Sequence, residues 1–189
     1  VAASDDAING TMGTTAGGTE SNDGSVVNVK GGYLYAKISS DSGGDAFDSN
    51  GNMYFTGGTV VAIGPNGGAN EDFDVNGTFA GNGGSVIGAT SSSSMNEVWN
   101  TASTQYSLYL KSSTALAANT IFRIQDASGN EILTFKNTIR SSYGYHFSSP
   151  LLKSGVTYSV YSGGTYTGGT VTDGLCSGGT YSGGTMKTT

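Results

Sequence analysis

"FDSNGNMYFTGGTVVAIG", residues 47 to 64, lies over "FDVNGTFAGNGGSVIGAT", residues 73 to 90, without a gap. Phe47 meets Phe73, Asp48 meets Asp74, and Asn50-Gly51 meets Asn76-Gly77. Gly57-Gly58 then meets Gly83-Gly84 and Val60 meets Val86, every pair 26 residues apart. One more step of 26 brings Gly31-Gly32 beneath Gly57-Gly58 and Asn22 beneath Asp48. "SDDAING", residues 4 to 10, is an earlier version of the same turn, followed by a glycine- and threonine-rich insertion. A period in the range of roughly 20 to 50 residues is the signature of a solenoid. The runs inside each unit, "MYF", "TVVAI" and "SVIGA", are short and β-branched, which disfavours helices. The expected fold is therefore all-β, a right-handed parallel β-helix of 26-residue coils. Each coil is expected to hold three short strands, with equivalent residues stacked about 4.8 Å apart. The Asn-Gly and Gly-Gly pairs suit sharp corners, and stacked Asn50 and Asn76 are expected to form an amide ladder.

From residue 92 the period is lost. Alternating runs follow, "QYSLYLK", "TIFRIQ", "EILTFK" and "TYSVYSGG", and "QDASGNEI" (125–132) reads as a hairpin turn with Gly129 left-handed. "SGGTYTGGT" (162–170) recurs as "SGGTYSGGT" (177–185). Residues 1–91 are read as coils, and 92–189 as a β-rich extension of the same domain, packed on the helix or continuing it.

Composition narrows the function. Of 189 residues 32 are glycine, and the net charge is −6 with a pI near 4.4. Nucleic-acid binding needs clustered Lys and Arg, so that partner is excluded. No apolar run approaches the roughly 20 residues of a membrane helix, and "VAASDDAING" does not read as a signal peptide. Cys176 is the single cysteine, read as a small buried apolar residue. Asn9-Gly-Thr and Asn76-Gly-Thr match the glycosylation sequon, a short motif with no weight by itself.

The acidic turns carry the chemistry. Asp5, Asp6 and Asn9 occupy one version, Asp45 and Asp48 the next, and Glu71, Asp72 and Asp74 the third. Carboxylates stacked on successive strands repel unless a cation or a proton intervenes. Calcium accepts six to eight such oxygens; solvated turn acids are the other reading, and the residues alone leave both open. Aromatic rings pack against sugar faces, which singles out Tyr33, Tyr35, Tyr54 and Trp99 first, with Tyr143, Tyr145, Tyr166 and Tyr181 behind them. Strand alternation puts Tyr33 and Tyr35 on one face and Leu34 on the other. Lys30, Lys37, Arg123 and Arg140 are the bases and cations a lyase would draw on, although none sits in a recognisable catalytic motif. His146 is assigned no chemistry.

"GGYLYAKISSDSGGDAFDSNGNMYFTGGTVVAIGPNG" with "FDVNGTFAGNGGSVIGA", the central "YLKSSTALAANTIFRIQDASGNEILTFK" and the Gly-Gly-Thr tail resemble an extracellular carbohydrate-binding β-helix family of cellulose-degrading clostridia. The resemblance covers most of the chain, and it is to the later part of such a domain. It implies a pectate-lyase-like fold, calcium in the turns held by Asp5, Asp6, Asn9, Asp45, Asp48, Asp72 and Asp74, and no established catalysis. It further implies exposure on the cell surface and a cellulose- or pectin-like polysaccharide as partner. The expected function is non-catalytic polysaccharide binding. The alternative is a structural subunit of an extracellular fibre or surface layer, assembled end to end, and a polysaccharide lyase is third. Residues 1–30 are expected to form the lowest coil, whose open edge takes another copy or an upstream segment, with "SGGTYSGGTMKTT" as the complementary surface.

Overall fold

A computed structural model describes residues 1–13, 21–39, 43–67, 69–90 and 95–188. Among them there are seventeen strands and no helix. The first half contributes β1 (Ala2–Ala3), β2 (Asn9–Gly10), β3 (Val26–Ile38), β4 (Phe47–Ser49), β5 (Asn52–Ile63), β6 (Phe73–Val75) and β7 (Phe79–Thr90). The second half contributes β8 (Ser107–Leu116), β9 (Ile121–Asp126), β10 (Glu131–Lys136), β11 (Ser142–Ser148) and β12 (Tyr158–Ser162). Five short strands close the chain: β13 (Thr165–Thr167), β14 (Thr170–Thr172), β15 (Leu175–Ser177), β16 (Thr180–Ser182) and β17 (Thr185–Thr188).

The repeat register holds in the parallel ladders. Phe47 pairs with Phe73 and Asp48 with Asp74 across β4 and β6. Val60 pairs with Leu34 on one side and Val86 on the other in β3–β5–β7. Asn50 Nδ2 donates to Asn76 Oδ1 at 3.2 Å, the expected amide rung.

The β-helix itself is corrected. The described residues form four sheets, and no closed solenoid: a parallel β2-β4-β6, a mixed β1-β3-β5-β7-β11-β8, an antiparallel β14-β15-β10-β9-β12-β17, and the pair β13-β16. Two causes are visible. Among the described residues each 26-residue unit yields two strands, a long one bent at its Gly-Gly pair and a three-residue one, and no separate third strand. After β7 the chain reverses, and β11 and β8 extend the same sheet antiparallel, ending the parallel progression.

The bend is a backbone requirement. Gly84 has φ +77°, and a Cβ there would lie 2.5 Å from the carbonyl oxygen of Gly58 in the neighbouring strand. The bend divides the mixed sheet into two halves with different surroundings. Towards the small parallel sheet lies one core, with Phe47, Met53, Phe55, Phe73 and Phe79 fully buried. Phe47 and Phe73 lie 5.4 Å apart between centroids with their rings tilted by 38°, and Phe55 meets both edge-on. On the opposite face, beyond the bend, Val61, Ile63, Ile87 and Ala89 pack with Phe122, Ile124 and Phe135 of the antiparallel sheet. Three layers result, with two cores sharing the central sheet. The β9–β10 hairpin turns at Gly129 (φ +84°), where Asp126 Oδ1 accepts the N–H groups of Ser128 and Asn130. Cys176 is buried.

Candidate functional site

The turns that enter β2, β4 and β6 superpose, because those strands are in parallel register. Their acids therefore form a column. Asp6 Oδ1 accepts the backbone N–H of Asp45 at 2.8 Å, and Asp45 Oδ1 accepts the backbone N–H of Glu71. Each carboxylate thus caps the turn on the next rung. Asn9 Nδ2 bridges the lower two rungs, donating to Asp6 Oδ2 at 2.7 Å and to Asp48 Oδ2 at 2.8 Å. Burial pushes the Asp45 carboxyl up to about 8; Asp74, Asp6 and Glu71 add to the rise, and the Glu71 N–H works against it. Glu97 continues the column: burial and the nearby Asp74 raise its carboxyl. Its position was legible, since Asp45, Glu71 and Glu97 are spaced by 26 residues, although the period is otherwise lost before it.

Asp72 leaves the column. Its Oδ1 accepts the N–H of Phe73 at 3.1 Å, and its Oδ2 lies 2.8 Å from His146 Nδ1, both side chains being fully buried. His146 Nε2 lies 2.7 Å from the carbonyl oxygen of Glu97. Both ring nitrogens face oxygen atoms, an arrangement that favours the doubly protonated ring. Burial lowers its pKa, but Asp72, the Glu97 carbonyl and Glu71 together outweigh burial, and the net direction is up. The ring stacks on Tyr109 (4.4 Å, 11°) and meets Phe73, Phe79 and Trp99 edge-on. Gly88, the register partner of His146, makes the pair possible: a Cβ there would lie 2.0 Å from Asp72 Oδ2. Nothing in the sequence couples residues 72 and 146.

The remaining acids are spread along the turns. Asp5 is exposed, and Asp48 and Asp74 are half-buried beside one another in register. All the donors are hard oxygens or amides, the kind calcium selects. Several of those oxygens already cap backbone N–H groups, and among the described residues no three His, Cys, Asp or Glu side chains converge on a metal-sized point.

The aromatic candidates separate. Trp99 lies flat on Phe79 (4.1 Å, 12°), and its Nε1 donates to the Leu108 carbonyl, so it closes the end of the phenylalanine core. Tyr33 and Tyr35 do share a face, the one turned to the antiparallel sheet, while Leu34 joins the phenylalanine core. Tyr35 packs in that second core; Tyr33 is 49% exposed and donates its hydroxyl to Asp173 at 3.0 Å. Tyr54 is different. On β5, Met53 and Phe55 point inward, so Asn52, Tyr54 and Thr56 point outward, on the half of the mixed sheet before the bend. Its register partner is Asn28, and Thr56 Oγ1 lies 3.1 Å from Asn28 Oδ1. Asn82 on β7 accepts from Thr104 on the same side. A half-buried aromatic ring amid amides and hydroxyls is the result.

Tyr145 is buried in the second core and Tyr143 half-buried, while Tyr166 and Tyr181 pair across β13–β16. The lysine and arginine candidates are occupied with structure. Arg123 pairs with Glu131 at 2.6 Å and lies under the Tyr181 ring; Arg140 is buried and donates to the Ile38 carbonyl. Lys37 lies near the ring of Tyr35, and Lys30 sits at the β3 bend. The sequence matches no family model, no curated protein and no solved structure.

Proposed function

We propose that this chain is a non-catalytic, extracellular polysaccharide-binding module whose acidic turns hold calcium. The observation that carries the reading is the outward half-face around Tyr54. Its ring offers a stacking surface, and Asn28, Thr56 and Asn82 supply the donors and acceptors that sugar hydroxyls need. A linear polysaccharide laid on such a face requires no deep pocket. The resemblance noted in the sequence points to the same partner. Calcium belongs to the reading because the column brings Asp6, Asp45, Asp48 and Asp74 onto successive rungs, and a hard cation offsets repulsion that protons otherwise relieve. When bound it supplies positive charge to the turns; the carboxylates orient it, and Asn9 holds Asp6 and Asp48 in place for it.

Depletion of the protein from solution by insoluble polysaccharides tests this, with Tyr54→Ala beside the natural chain. Covering about 80 Å² of ring is worth about 2 kcal/mol, or more than tenfold in affinity. Equal retention of both proteins on every polysaccharide would remove Tyr54 from the reading.

A second reading, a subunit of a fibre or surface layer, is favoured by the outer edge of β3. There, among the described residues, β1 pairs with Lys37 and Ile38 alone, and Val26 at the other end of the strand is 56% exposed. Exposed sheet edges template other strands. Electron microscopy of concentrated protein distinguishes filaments from dispersed particles.

A further inference from the structure

Just beyond its Gly-Gly bend the mixed sheet carries a row of side chains on the face turned to the antiparallel sheet. Tyr33 pairs in register with Thr59, and Thr59 with Ser85. Tyr35, Val61 and Ile87, two residues further along each strand, belong to the second core, so the row shares their face. On β11 Phe147 lies in that core, and Ser149 follows it by two residues. Tyr106 continues the row. Gln105 Nε2 and Ser107 Oγ both meet Ser148 Oγ, whose register partner Val86 packs in the phenylalanine core, while Leu108 packs on the second core. Alternation therefore turns Tyr106 to the side of Thr59 and Ser85. The Ser148–Ser107 pairing, carried on by one residue, sets Tyr106 beside Ser149. Tyr33, Thr59, Ser85, Ser149 and Tyr106 thus form one line across the strands, a ring at each end and three hydroxyls between.

Thr59, Ser85 and Ser149 also line a groove of about 260 Å³, whose other wall comes from the antiparallel sheet with Ile132, Leu175 and Ser177. That volume is below the roughly 300–1,000 Å³ of sites that enclose a small molecule. A fitting occupant therefore lies partly outside the groove and runs on past its ends, where Tyr33 is 49% and Tyr106 55% exposed. Four strand spacings separate β3 from β8, about 19 Å, which is further than a disaccharide reaches. Hydroxyls on one wall and aliphatic side chains on the other match a pyranose, whose edges carry hydroxyls and whose faces carry C–H groups. Among the described residues lining the groove, Glu131 alone is charged, and its Oε2 already accepts from Arg123 and Thr134. No cation lines it to hold the carboxylate of a uronate, so a neutral sugar is the better match.

We infer that a neutral linear polysaccharide crosses the strands along this groove, seated on Thr59, Ser85 and Ser149 and stacked on Tyr33 and Tyr106. The inference rests on the reading of the chain as a polysaccharide-binding module, and adds to it a path, a second pair of rings and a minimum ligand length. Tyr54 lies on the same side of the sheet, before the bend.

Calorimetric titration of the full chain with cellohexaose, xylohexaose and mannohexaose, each beside its disaccharide, tests the inference. Hexagalacturonate is the charged counterpart, and amide chemical-shift mapping locates the site. Expected is binding of at least one neutral hexasaccharide, at least tenfold tighter than its disaccharide and than hexagalacturonate, with shifts gathered at Thr59, Ser85, Ser149 and Tyr106. Tyr106→Ala should lose about tenfold for that hexasaccharide and keep its melting temperature, because the side chain is exposed. Tyr106→Phe, which keeps the ring, should bind as the natural chain does. A disaccharide or hexagalacturonate bound as tightly as the neutral hexasaccharide, or full binding by Tyr106→Ala, would overturn the inference. Shifts confined to the half-face around Tyr54, with a loss in Tyr54→Ala alone, would overturn the path and leave polysaccharide binding standing. No binding of any saccharide would remove both.

Discussion

His146→Phe is the most informative single change. Phenylalanine preserves the ring that stacks on Tyr109 and packs against Phe73 and Phe79, so the hydrophobic part of the site survives. What is lost is the charge partner of Asp72, which remains fully buried with only the Phe73 N–H to hold it. Breaking a buried pair by removing one member costs about 3–5 kcal/mol, because the other charge is left uncompensated. For a domain of this size each kcal/mol shifts the melting temperature by about 2–4 °C, so a fall of roughly 6–20 °C is expected. The double variant Asp72→Leu/His146→Phe removes both charges, and should recover most of that loss, since an apolar replacement of an ion pair is often neutral. Urea unfolding followed by circular dichroism gives all four corners of the cycle. The pH dependence supplies a second arm. Burial lowers the folded pKa of His146, but Asp72, the Glu97 carbonyl and Glu71 together raise it, so it lies above its ordinary 6.5. Stability from the pair is thus complete below the unfolded value and is lost as pH rises through the raised folded value. The double variant should lack that component. A single variant within about 1 kcal/mol of the natural chain, or a double variant no better than the single, would refute the argument.

Other expectations follow from the same geometry. Asp45 carries a raised carboxyl, so its contribution is present at acid pH and declines as pH climbs from 3.8 to about 8; calcium should flatten that decline in a thermal-melt series. Calcium at about a hundred times its dissociation constant should add about 2.7 kcal/mol, some 5–11 °C in melting temperature, and chelator should reverse it. An unmoved melt under both conditions would remove calcium from the turns. Gly88→Ala puts a methyl group where Asp72 Oδ2 now lies and 2.5 Å from Phe73 Cε2, and should lower the melting temperature in a thermal-melt series. Phe73→Ala, in the middle of the phenylalanine core, should cost about 3–5 kcal/mol by urea titration. A loss below about 1 kcal/mol would mean the core collapses around the gap.

The sequence by itself determined every feature that repeats. A side chain at position i and another at i+26 meet because parallel register is one number propagated along a strand, and that number is written in Phe47 and Phe73, Asn50 and Asn76, and the Gly-Gly bends. The same arithmetic places Asp45, Glu71 and Glu97 in one column. Only the tertiary structure decided what lies across the sheet. Whether a third wall closes the coil depends on how many strands 26 residues can form around two glycine bends, and the hydrophobic pattern is satisfied equally by a closed coil and by a sheet covered from outside. Here β9, β10 and β12 supply that cover, burying Tyr35, Val61 and Ile87, whose alternation along the chain is indifferent to what covers them. Trp99 was legible as an aromatic but not as the plug of the core. The His146–Asp72 pair was illegible for the same reason: 74 residues separate them, and a buried charge finds its counter-charge through packing in three dimensions, which no local spacing encodes.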